Sequence, residues 1–343
     1  MNLKDLAASL GLSQTTVSRA LNGYPEVSEA TRKRVTAAAL EHGYRPDSRA
    51  RSLATGKAMA VGLVLPMTAK QEIVNPVFAD FVAGAAETLA TRGYDIVLSL
   101  ASEEEQTNVY RSMLSKGRVD GMIMQAPLTG DPRIALLKDL GMPFVVHGRV
   151  SDHDDEYCWM DMDNRHAFHE ATGHLLDLGH VRIALLNGLE AMDFAHRRRD
   201  GFLDALSERG LTADPAIMAS STMTEQFGYN EAMRMLALPE PPTAMLTSSL
   251  LVAMGAHRAI QARGLRMGLD VSVVTHDDGL SYLPNGTEEA PIFTATQSPV
   301  RSHGNICAEM LLKRIDQDKT PPIQTKLKAS FVIGPSSGPA PTL

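Results

Sequence analysis

One face of a predicted short helix near the start of the chain carries four polar residues, Gln14, Thr15, Ser18 and Arg19. Their side chains can donate and accept hydrogen bonds, and the planar guanidinium of Arg19 can bind a pair of acceptors at once. Such side chains on one helix face can read the edges of bases in a groove of DNA. An ordinary solvated helix face has a similar composition, so the neighbouring elements must decide between the two interpretations.

Two short helices joined by a tight turn would hold this face in place. The first helix would bury residues that recur at helical spacing, Leu3, Leu6, Ala7 and Leu10. Gly11 breaks that helix, Leu12 fills the corner, and the hydroxyl of Ser13 can cap the second helix. The second helix would bury Val17, Ala20 and Leu21. This order of elements predicts a helix-turn-helix.

A third helix is predicted from a cap at Ser28 to about His42, where Gly43 ends it. Its apolar residues would complete a three-helix core, and these are Val35, Ala38 and Ala39. A core built from about 45 residues is only marginally stable.

The segment between Pro46 and Gly56 could form about two helical turns that carry Arg49, Arg51 and Leu53. So short a helix has nothing to pack on and is unstable by itself. From the residues alone, a flexible linker is therefore an equally good interpretation.

Charge is distributed unevenly along the 343 residues, a length that favours two or three domains. The net charge is −7, but residues 1–60 contain nine Lys or Arg against five Asp or Glu, so they carry +4 and the remainder −11. A basic head on an acidic body fits a small phosphate-binding module attached to a larger part that binds no nucleic acid.

The sequence carries no signal for secretion, a membrane or a metal. Cys158 and Cys307 are too few for a disulfide framework and do not have the spacing of a metal site. Lys4 and Asp5 interrupt the first apolar residues, unlike a signal peptide, and no apolar run approaches the ~20 residues that span a membrane. We therefore expect a cytoplasmic protein without a membrane partner.

From Ala60 onward, apolar strands alternate with amphipathic helices. The predicted strands span residues 60–66, 95–100, 121–126, 143–148, 157–162, 182–187, 216–220, 243–248, 271–276, 293–297 and 328–334. This pattern predicts parallel sheets covered on both faces, arranged as two similar α/β lobes with a cleft between them. A ligand would bind beyond the C-terminal ends of the strands. The Pro-, Ser- and Gly-rich residues 335–343 are predicted to be a disordered tail.

These features together resemble the LacI/GalR family of bacterial transcription regulators. The resemblance rests on LKDLAASLGLSQTTVSRALNG, VSEATRKRV and GYRPDSRARSLATG, which occur within the first 57 residues in the order and spacing of the family. Ordered matches continue to about Ile333, among them RVDGMI at 118–123, RRDGF at 198–202 and PPTAMLTSS at 241–249.

The resemblance implies an all-α helix-turn-helix headpiece followed by an α/β two-lobed effector domain similar to a periplasmic binding protein. The implied boundaries are residues 1–45 for the headpiece, 46–58 for a hinge helix, 59–334 for effector binding and dimerisation, and 335–343 for the tail. In that fold the chain crosses between the lobes three times, here near residues 161, 290 and 325.

The resemblance also implies a homodimer on a pseudo-palindromic double-stranded operator. The implied base-reading residues are Gln14, Thr15 and Arg19, and the implied phosphate contacts are Ser13, Thr16, Ser18 and Asn22. The implied minor-groove residues of the hinge helix are Arg49, Arg51, Leu53 and Ala54. Leu53 would act as the wedge that opens a base step.

A small-molecule effector, a mono- or disaccharide, is implied for the cleft. The implied contacts are Phe78, Phe194, Arg198, Ser249 and Asp277, with Trp159 available for stacking on a sugar ring. The other two arginines of the run, Arg197 and Arg199, are expected in an exposed basic turn. The stretch from Thr247 to Ser249 is similar to α-glucoside regulators.

Two other classes of protein compete with an effector-controlled repressor. A solute-binding protein would explain the lobes but not the basic head, and a sugar-modifying enzyme would need a catalytic constellation. Asp277 and Asp278 are adjacent and diverge, and no nucleophile motif or phosphate loop accompanies them. His166, His169 and His174 approximate metal-ligand spacing, but no further ligand joins them. We therefore expect neither catalysis nor a metal or other cofactor.

Overall fold

The computed structural model describes residues 1–21, 24–44, 56–66, 76–102, 104–150, 156–317 and 320–341. These residues form two compact units, one mainly from residues 1–59 and the other from almost all residues after Met59. Some of the predicted DNA contacts lie outside the described residues, namely Asn22, Arg49, Arg51, Leu53 and Ala54.

The first unit is a three-helix headpiece. Its helices are α1 (Leu3–Leu10), α2 (Gln14–Leu21) and α3 (Glu29–Glu41). Gly11 ends α1 in the left-handed region with φ 63°, where a residue without a Cβ is favoured. As predicted, the hydroxyl of Ser13 accepts a hydrogen bond from the backbone N–H of Thr16 at 3.0 Å, and that of Ser28 caps α3.

The headpiece core consists of the residues that the helical spacing selected. The buried side chains are Leu6, Ala7, Val17, Ala20, Val35 and Ala39, and Leu12 packs against them at the corner. The side chain of Arg34 donates a hydrogen bond to the carbonyl of Leu10, which ties α3 to the end of α1. This small core presents the opposite face of α2 outward.

The second unit contains two lobes, each with a six-stranded sheet. Lobe 1 contains β1 (Ala60–Pro66), α4 (Pro76–Thr91), β2 (Asp95–Ala101), α5 (Gln106–Ser115), β3 (Gly121–Gln125), α6 (Pro132–Asp139), β4 (Phe144–His147) and β5 (Cys158–Met162). After the chain has passed through lobe 2 it returns with α11 (Val300–Asp316) and β11 (Gln324–Leu327). The strand order is β11-β5-β4-β3-β1-β2, and every pair is parallel, as predicted.

Lobe 2 repeats this architecture. It contains α7 (Asn164–Asp177), β6 (Ile183–Asn187), α8 (Asp193–Glu208), β7 (Met218–Ser220), α9 (Glu225–Met235), β8 (Ala244–Thr247), α10 (Leu250–Ala262), β9 (Ser272–Asp277), β10 (Thr294–Gln297) and β12 (Ser330–Val332). The strand order is β12-β10-β9-β8-β6-β7. The prediction of purely parallel sheets is wrong at β12, which pairs antiparallel with β10.

The crossings between the lobes differ from two of the predicted positions. The chain crosses at 163, between β5 and α7, close to the predicted 161. The second crossing lies at 298–299 rather than near 290, and the third at 328–329 rather than near 325. The predicted strand 328–334 corresponds to the shorter β12 (Ser330–Val332), and β11, which precedes it in the other sheet, was not predicted. The strand β11 has the sequence QTKL, whose polar residues gave no apolar signal.

The C-terminal segment from Pro335 to Pro341 is ordered and packs on lobe 2, so the prediction of a disordered tail is wrong. Ser336 is fully buried, and its hydroxyl accepts from the N–H of Thr294 at 2.8 Å and donates to the carbonyl of Val273 at 2.6 Å. The N–H of Gly338 donates to the hydroxyl of Ser272 at 3.0 Å. Small polar residues can approach the sheet closely, and here they bind its backbone instead of remaining solvated.

Deletion of residues 335–343 is expected to destabilise lobe 2. The segment makes several hydrogen bonds with the lobe, and each contributes about 1 kcal/mol, so the free energy of unfolding should fall by about 3–5 kcal/mol. Denaturant unfolding measures this difference. A chain that ends at Pro341 retains these contacts and serves as the control. Equal stability of the two truncated chains would show that the segment contributes nothing.

Helices α7 and α8 pack backbone to backbone at Gly201. A Cβ at this position would lie 2.0 Å from the carbonyl oxygen of Arg165, so only glycine permits the approach. This contact sets the N-terminal half of α8, with its run of three arginines, beside the start of α7.

Among the described residues, no helix is long and apolar enough to span a membrane.

Candidate functional site

The outward face of α2 carries the predicted base-reading residues. The side chains of Gln14, Thr15 and Arg19 are exposed, whereas Val17 and Ala20 on the opposite face are buried in the headpiece core. Glutamine and arginine are the side chains that pair bidentately with adenine and guanine in the major groove. The face is therefore chemically suited to base contacts.

The predicted phosphate contacts cluster at the start of the same helix. The hydroxyl of Ser13 lies 2.8 Å from that of Thr16 and is exposed, and Ser18 is half-buried one turn further along. Hydroxyl groups beside a helix N-terminus can hold a phosphate because the helix dipole is positive there. The assignment of these three residues to phosphate contacts stays a prediction.

The second candidate site lies in the effector domain, where Arg198 of α8 is buried at the boundary between the lobes. Its Nε donates to Oδ1 of Asn164 at 2.7 Å, and its Nη1 donates to the carbonyl of Ser248 at 2.8 Å. The guanidinium lies 5.0 Å from the ring of Phe168 and 4.9 Å from the ring of Phe194. Two hydrogen bonds and two aromatic rings therefore hold this cation in a fixed orientation.

A chain of hydrogen bonds connects Arg198 to lobe 1. Nδ2 of Asn164 donates to Oδ1 of Asp161 on β5 at 3.3 Å. The other oxygen of Asp161, Oδ2, is 3.3 Å from both Nε of Arg149 and Nη2 of Arg197. Asp161 is therefore shared by guanidiniums of both lobes. Burial raises the pKa of its carboxyl to about 6 although these arginines act in the opposite direction.

Asp277, a predicted effector contact, has hydrogen-bond partners of its own within lobe 2. Asp277 ends β9, and its carboxylate accepts from the N–H of Gly279 at 2.8 Å and from Nε2 of Gln297 at 3.0 Å. Gln297 is its register partner on β10. The carboxylates whose charges act on Arg198 are Asp278 and Asp161. Adjacent side chains at a strand end diverge, so only one of Asp277 and Asp278 can face the arginine.

The other predicted effector residues are distributed around this centre. Phe194 contacts Arg198. Ser249 is buried and follows Ser248, whose carbonyl Arg198 contacts, and its hydroxyl caps α10 by accepting from the N–H of Val252. Trp159 is buried on β5, with the guanidinium of Arg149 5.4 Å from its ring. Phe78 is half-buried in the first turn of α4, on lobe 1.

Three histidines, of which His276 and His303 are buried and His147 is half-buried, lie near the second crossing between the lobes. Nε2 of His147 is 3.1 Å from Nδ1 of His303, whose Nε2 is 2.7 Å from the hydroxyl of Ser298. His276 bonds to the hydroxyl of Thr296 at 2.9 Å. Burial lowers the pKa of all three rings, to about 4 for His303, so they are neutral at neutral pH.

The lobes are joined by hydrogen bonds on two sides of this centre. The N–H of Thr129 donates to the carbonyl of Ala191, and that of Asp193 donates to the carbonyl of Pro127, both at 3.0 Å. In addition, the carboxylate of Asp80 on α4 accepts from the N–H and the hydroxyl of Ser281 at 2.7 Å each. The polar centre is therefore enclosed between lobes that contact each other.

The carboxyl of Asp278, whose side chain is 15% exposed, should make the stability of the effector domain depend on pH. Burial raises the pKa of Asp278 from 3.8 to about 7, so the folded state holds this proton more tightly than the unfolded state. The stabilising contribution of this residue to the free energy of unfolding is present below pH 4 and is lost as the pH rises through about 7. At about 1.4 kcal/mol per pH unit, the loss is on the order of 4 kcal/mol.

Asp278→Asn removes this ionisation. Its free energy of unfolding minus that of the wild type is expected to increase from pH 4 to pH 7 and then level off, as measured by denaturant unfolding. Taking the difference cancels the opposing effect of the buried histidines. A difference that does not vary with pH would show that Asp278 does not titrate in this range.

Sequence reasoning missed several members of this centre. Arg197 was expected in an exposed turn but is only 6% exposed, and Asp161 is 3% exposed. Asn164, Ser248 and Asp278 were not singled out as contacts of Arg198. The available signal was positional, because Asp161, Asn164, Ser248 and Asp278 all lie within two residues of the C-terminal end of a predicted strand. Arg197 lies on a helix and had no such signal.

Two family models match the chain and together span most of it. Bacterial regulatory proteins of the lacI family match residues 2–47, and the periplasmic binding proteins and sugar binding domain of the LacI family match residues 58–334. This chain belongs to the LacI family. As a LacI-family protein, it combines a helix-turn-helix domain with a two-lobed ligand-binding domain, and it is a DNA-binding transcription regulator.

Individual relatives agree with the LacI-family assignment. The HTH-type transcriptional regulator AglR of Rhizobium meliloti is 44% identical over 341 residues, which cover 99% of this chain and 95% of the relative. The structure of the lac repressor dimer bound to operator and the anti-inducer ONPF has a TM-score of 0.80 and 27% identity, over 98% of this chain and 99% of the other. A complex of the regulator CelR with cellobiose has a TM-score of 0.71 and 28% identity, over the same shares.

Proposed function

We propose that this LacI-family regulator is a repressor whose affinity for a pseudo-palindromic operator is controlled by a mono- or disaccharide bound between its lobes. It would act in the cytoplasm, without catalysis and without a cofactor. The single observation that supports the effector site is Arg198, a buried cation held between two phenylalanine rings at the lobe boundary.

The chemistry of this centre suits a sugar. Adjacent hydroxyl groups of a pyranose can accept from a guanidinium and donate to a carboxylate, and the apolar face of the ring can pack on an aromatic side chain. Arg198 would donate, Asp277 or Asp278 would accept, and Phe78, Phe194 and Trp159 would provide the walls. Ser249 completes the proposed contacts from lobe 2.

On the DNA side, the proposed contacts are those of α2 together with the hinge. Arg49, Arg51, Leu53 and Ala54 would fold as a helix on the minor groove, where Leu53 would insert into a base step. Because a sugar at the lobe boundary can favour one arrangement of the lobes, it would alter how two hinge segments meet on the operator.

A homodimer is proposed because exposed apolar side chains occur on the outer edge of lobe 1. Leu98 and Leu100 are each 50% exposed. Because they are two residues apart, their side chains lie on the same face of β2, which is the last strand of its sheet. In lobe 2, Met254 and Tyr282 are also exposed. Exposed apolar patches of this kind mark protein–protein contacts, and a regulator that binds a two-fold operator needs a second copy.

The double substitution Leu98→Asp and Leu100→Asp is expected to convert the dimer into a monomer, because two unpaired carboxylates would be buried in the interface. Sedimentation velocity measures the change. The matched control is Leu269→Asp, which changes an exposed leucine of lobe 2 instead of lobe 1, and this variant should remain dimeric. A double variant that remains dimeric would place the interface elsewhere.

The resemblance to α-glucoside regulators over Thr247–Ser249 narrows the proposed effector to sugars of that class.

The experiment that tests the function is electrophoretic retardation, by the protein, of the promoter fragment that lies upstream of its gene, with and without each of a panel of neutral sugars. The expected result is a specific complex whose amount changes with at least one sugar. A protein that retards no fragment, or whose complex no sugar alters, would contradict the proposal.

A further inference from the structure

Arg197, the neighbour of Arg198 on α8, is buried with part of its guanidinium unsatisfied. Its Nη2 is 3.3 Å from Oδ2 of Asp161, 3.0 Å from Oδ1 of Asp193 and 3.1 Å from the carbonyl of Arg149. Its Nε and Nη1 are buried and have no hydrogen-bond partner among the described residues. Nη2 therefore makes all three of these contacts, whereas Nε and Nη1 make no hydrogen bond with the described residues.

Unsatisfied donors at this depth are unusual. Nearly all buried polar groups in proteins have a partner, and a buried charged donor without one is costly. Arg197 is also linked to the proposed effector site through Asp161. It contacts Asp161, which Asn164 links to Arg198, the proposed effector residue.

The charge of Arg197 is already compensated, and this limits what the acceptor can be. Asp161 and Asp193 face the same guanidinium from different lobes, and Asp278 acts on Arg198. The buried carboxylates of Asp161 and Asp193 therefore compensate the charge of Arg197, and Arg149 is the second guanidinium that Asp161 faces. A second anion at this place would carry an uncompensated charge into a buried site, whereas a neutral oxygen would not.

We propose that Arg197 is a second effector-contacting residue, whose Nε and Nη1 donate to oxygen atoms of a neutral saccharide, and that its compensated charge discriminates against sugar phosphates and sugar acids. The inference rests on the proposed function, because it assumes that the effector is a sugar bound beside Arg198. It adds a specificity determinant and restricts the effector to uncharged sugars.

Calorimetric titration of the full-length protein tests this proposal. The neutral probes are glucose, galactose, maltose, cellobiose, sucrose and melibiose, and the acidic probes are glucose 6-phosphate and glucuronate. The wild type is expected to bind at least one neutral probe and neither acidic probe. Arg197→Gln should bind the same neutral probe about 10- to 100-fold more weakly, because bonds from a charged donor are lost.

The matched control is Arg199→Gln, which changes the next arginine of the helix. Its guanidinium pairs with Glu190 at 2.5 Å and is one-third exposed, so the affinity for sugar should stay within twofold of wild type. A second variant, Asp193→Asn, leaves Arg197 undercompensated. It should raise the affinity for glucose 6-phosphate relative to the neutral probe at least about tenfold, a change that loss of structure alone would not produce.

The possible failures can be told apart. Wild-type protein that binds either acidic probe as tightly as the neutral probe would overturn the inference, as would a folded Arg197→Gln with unchanged affinity. If Arg197→Gln does not fold, an Asp193→Asn variant with unchanged selectivity overturns it. If Arg198→Ala abolishes binding while these tests fail, only the inference is wrong. If Arg198→Ala also binds normally, or no neutral probe binds, the proposed function is contradicted as well.

Discussion

Arg198→Ala is expected to abolish the response of operator binding to sugar while leaving operator affinity in the absence of sugar unchanged. Each hydrogen bond from a charged donor contributes ~1.5–3 kcal/mol, so the loss of two such bonds would weaken sugar binding by about a hundredfold or more. The headpiece makes its DNA contacts from a separate folded unit, so these contacts should persist. Calorimetric sugar affinity measured beside an operator titration detects both results.

Controls separate the loss of a contact from the loss of the fold. Removing a buried arginine takes away a positive charge that acts on Asp278 and Asp161, which destabilises the domain. Arg198→Lys retains the charge but loses the planar fork, and it should also lose most of the sugar affinity. Arg199→Ala, on the same helix, should behave as wild type. Sugar affinity within twofold of wild type in both Arg198 variants would place the effector site elsewhere.

The role of Asp277 is open to the same test. It was predicted to accept from the sugar, but its carboxylate already accepts from Gly279 and Gln297. Asp277→Ala should abolish the response if this carboxylate contacts the sugar as proposed. A normal response in Asp277→Ala would leave Asp278 as the accepting group.

Arg19→Ala is expected to weaken operator binding and to relax the preference at one base position. Arg19 is exposed on the outward face of α2, one turn beyond Thr15, and arginine pairs bidentately with O6 and N7 of guanine. The expected cost is ~1–3 kcal/mol per half-site, hence roughly 2–6 kcal/mol for a dimer on two half-sites. Selection of operators from a randomised DNA pool measures both affinity and preference.

The matched control for Arg19→Ala is Lys33→Ala, which removes an exposed positive charge from α3. It should lower affinity for every sequence to a similar extent and flatten the salt dependence, without changing the preferred sequence. If Arg19→Ala selects the same operators as the wild type, Arg19 contacts phosphate or solvent and the assignment of a base contact is wrong.

The sequence predicted what depends on local chemistry. Helix starts follow from caps such as Ser13 and Ser28, and the headpiece core follows from the helical spacing of residues such as Leu6 and Val17. The apolar strands of the effector domain were recognised because burial of a strand on both faces requires continuous apolar residues. Arg198 was located through its position in a family motif.

What the sequence did not predict depends on long-range contacts. The strand β11 is polar and exists because it pairs with β5, more than 160 residues earlier in the chain. Ser336 is buried because its hydroxyl and backbone bind strands on lobe 2. Arg197 is charged, and only the tertiary structure sets it between Asp161 and Asp193. Charged residues are buried only where partners exist, and sequence spacing does not reveal those partners.

The most direct test of the central claim is an operator titration, by fluorescence anisotropy, of the full-length protein in the absence and presence of a saturating neutral sugar. The account predicts that sugar changes the operator Kd, and that operator changes the sugar Kd by the same factor, because coupling between two binding sites is reciprocal. An operator Kd that stays the same when calorimetry shows the sugar site to be saturated would contradict it.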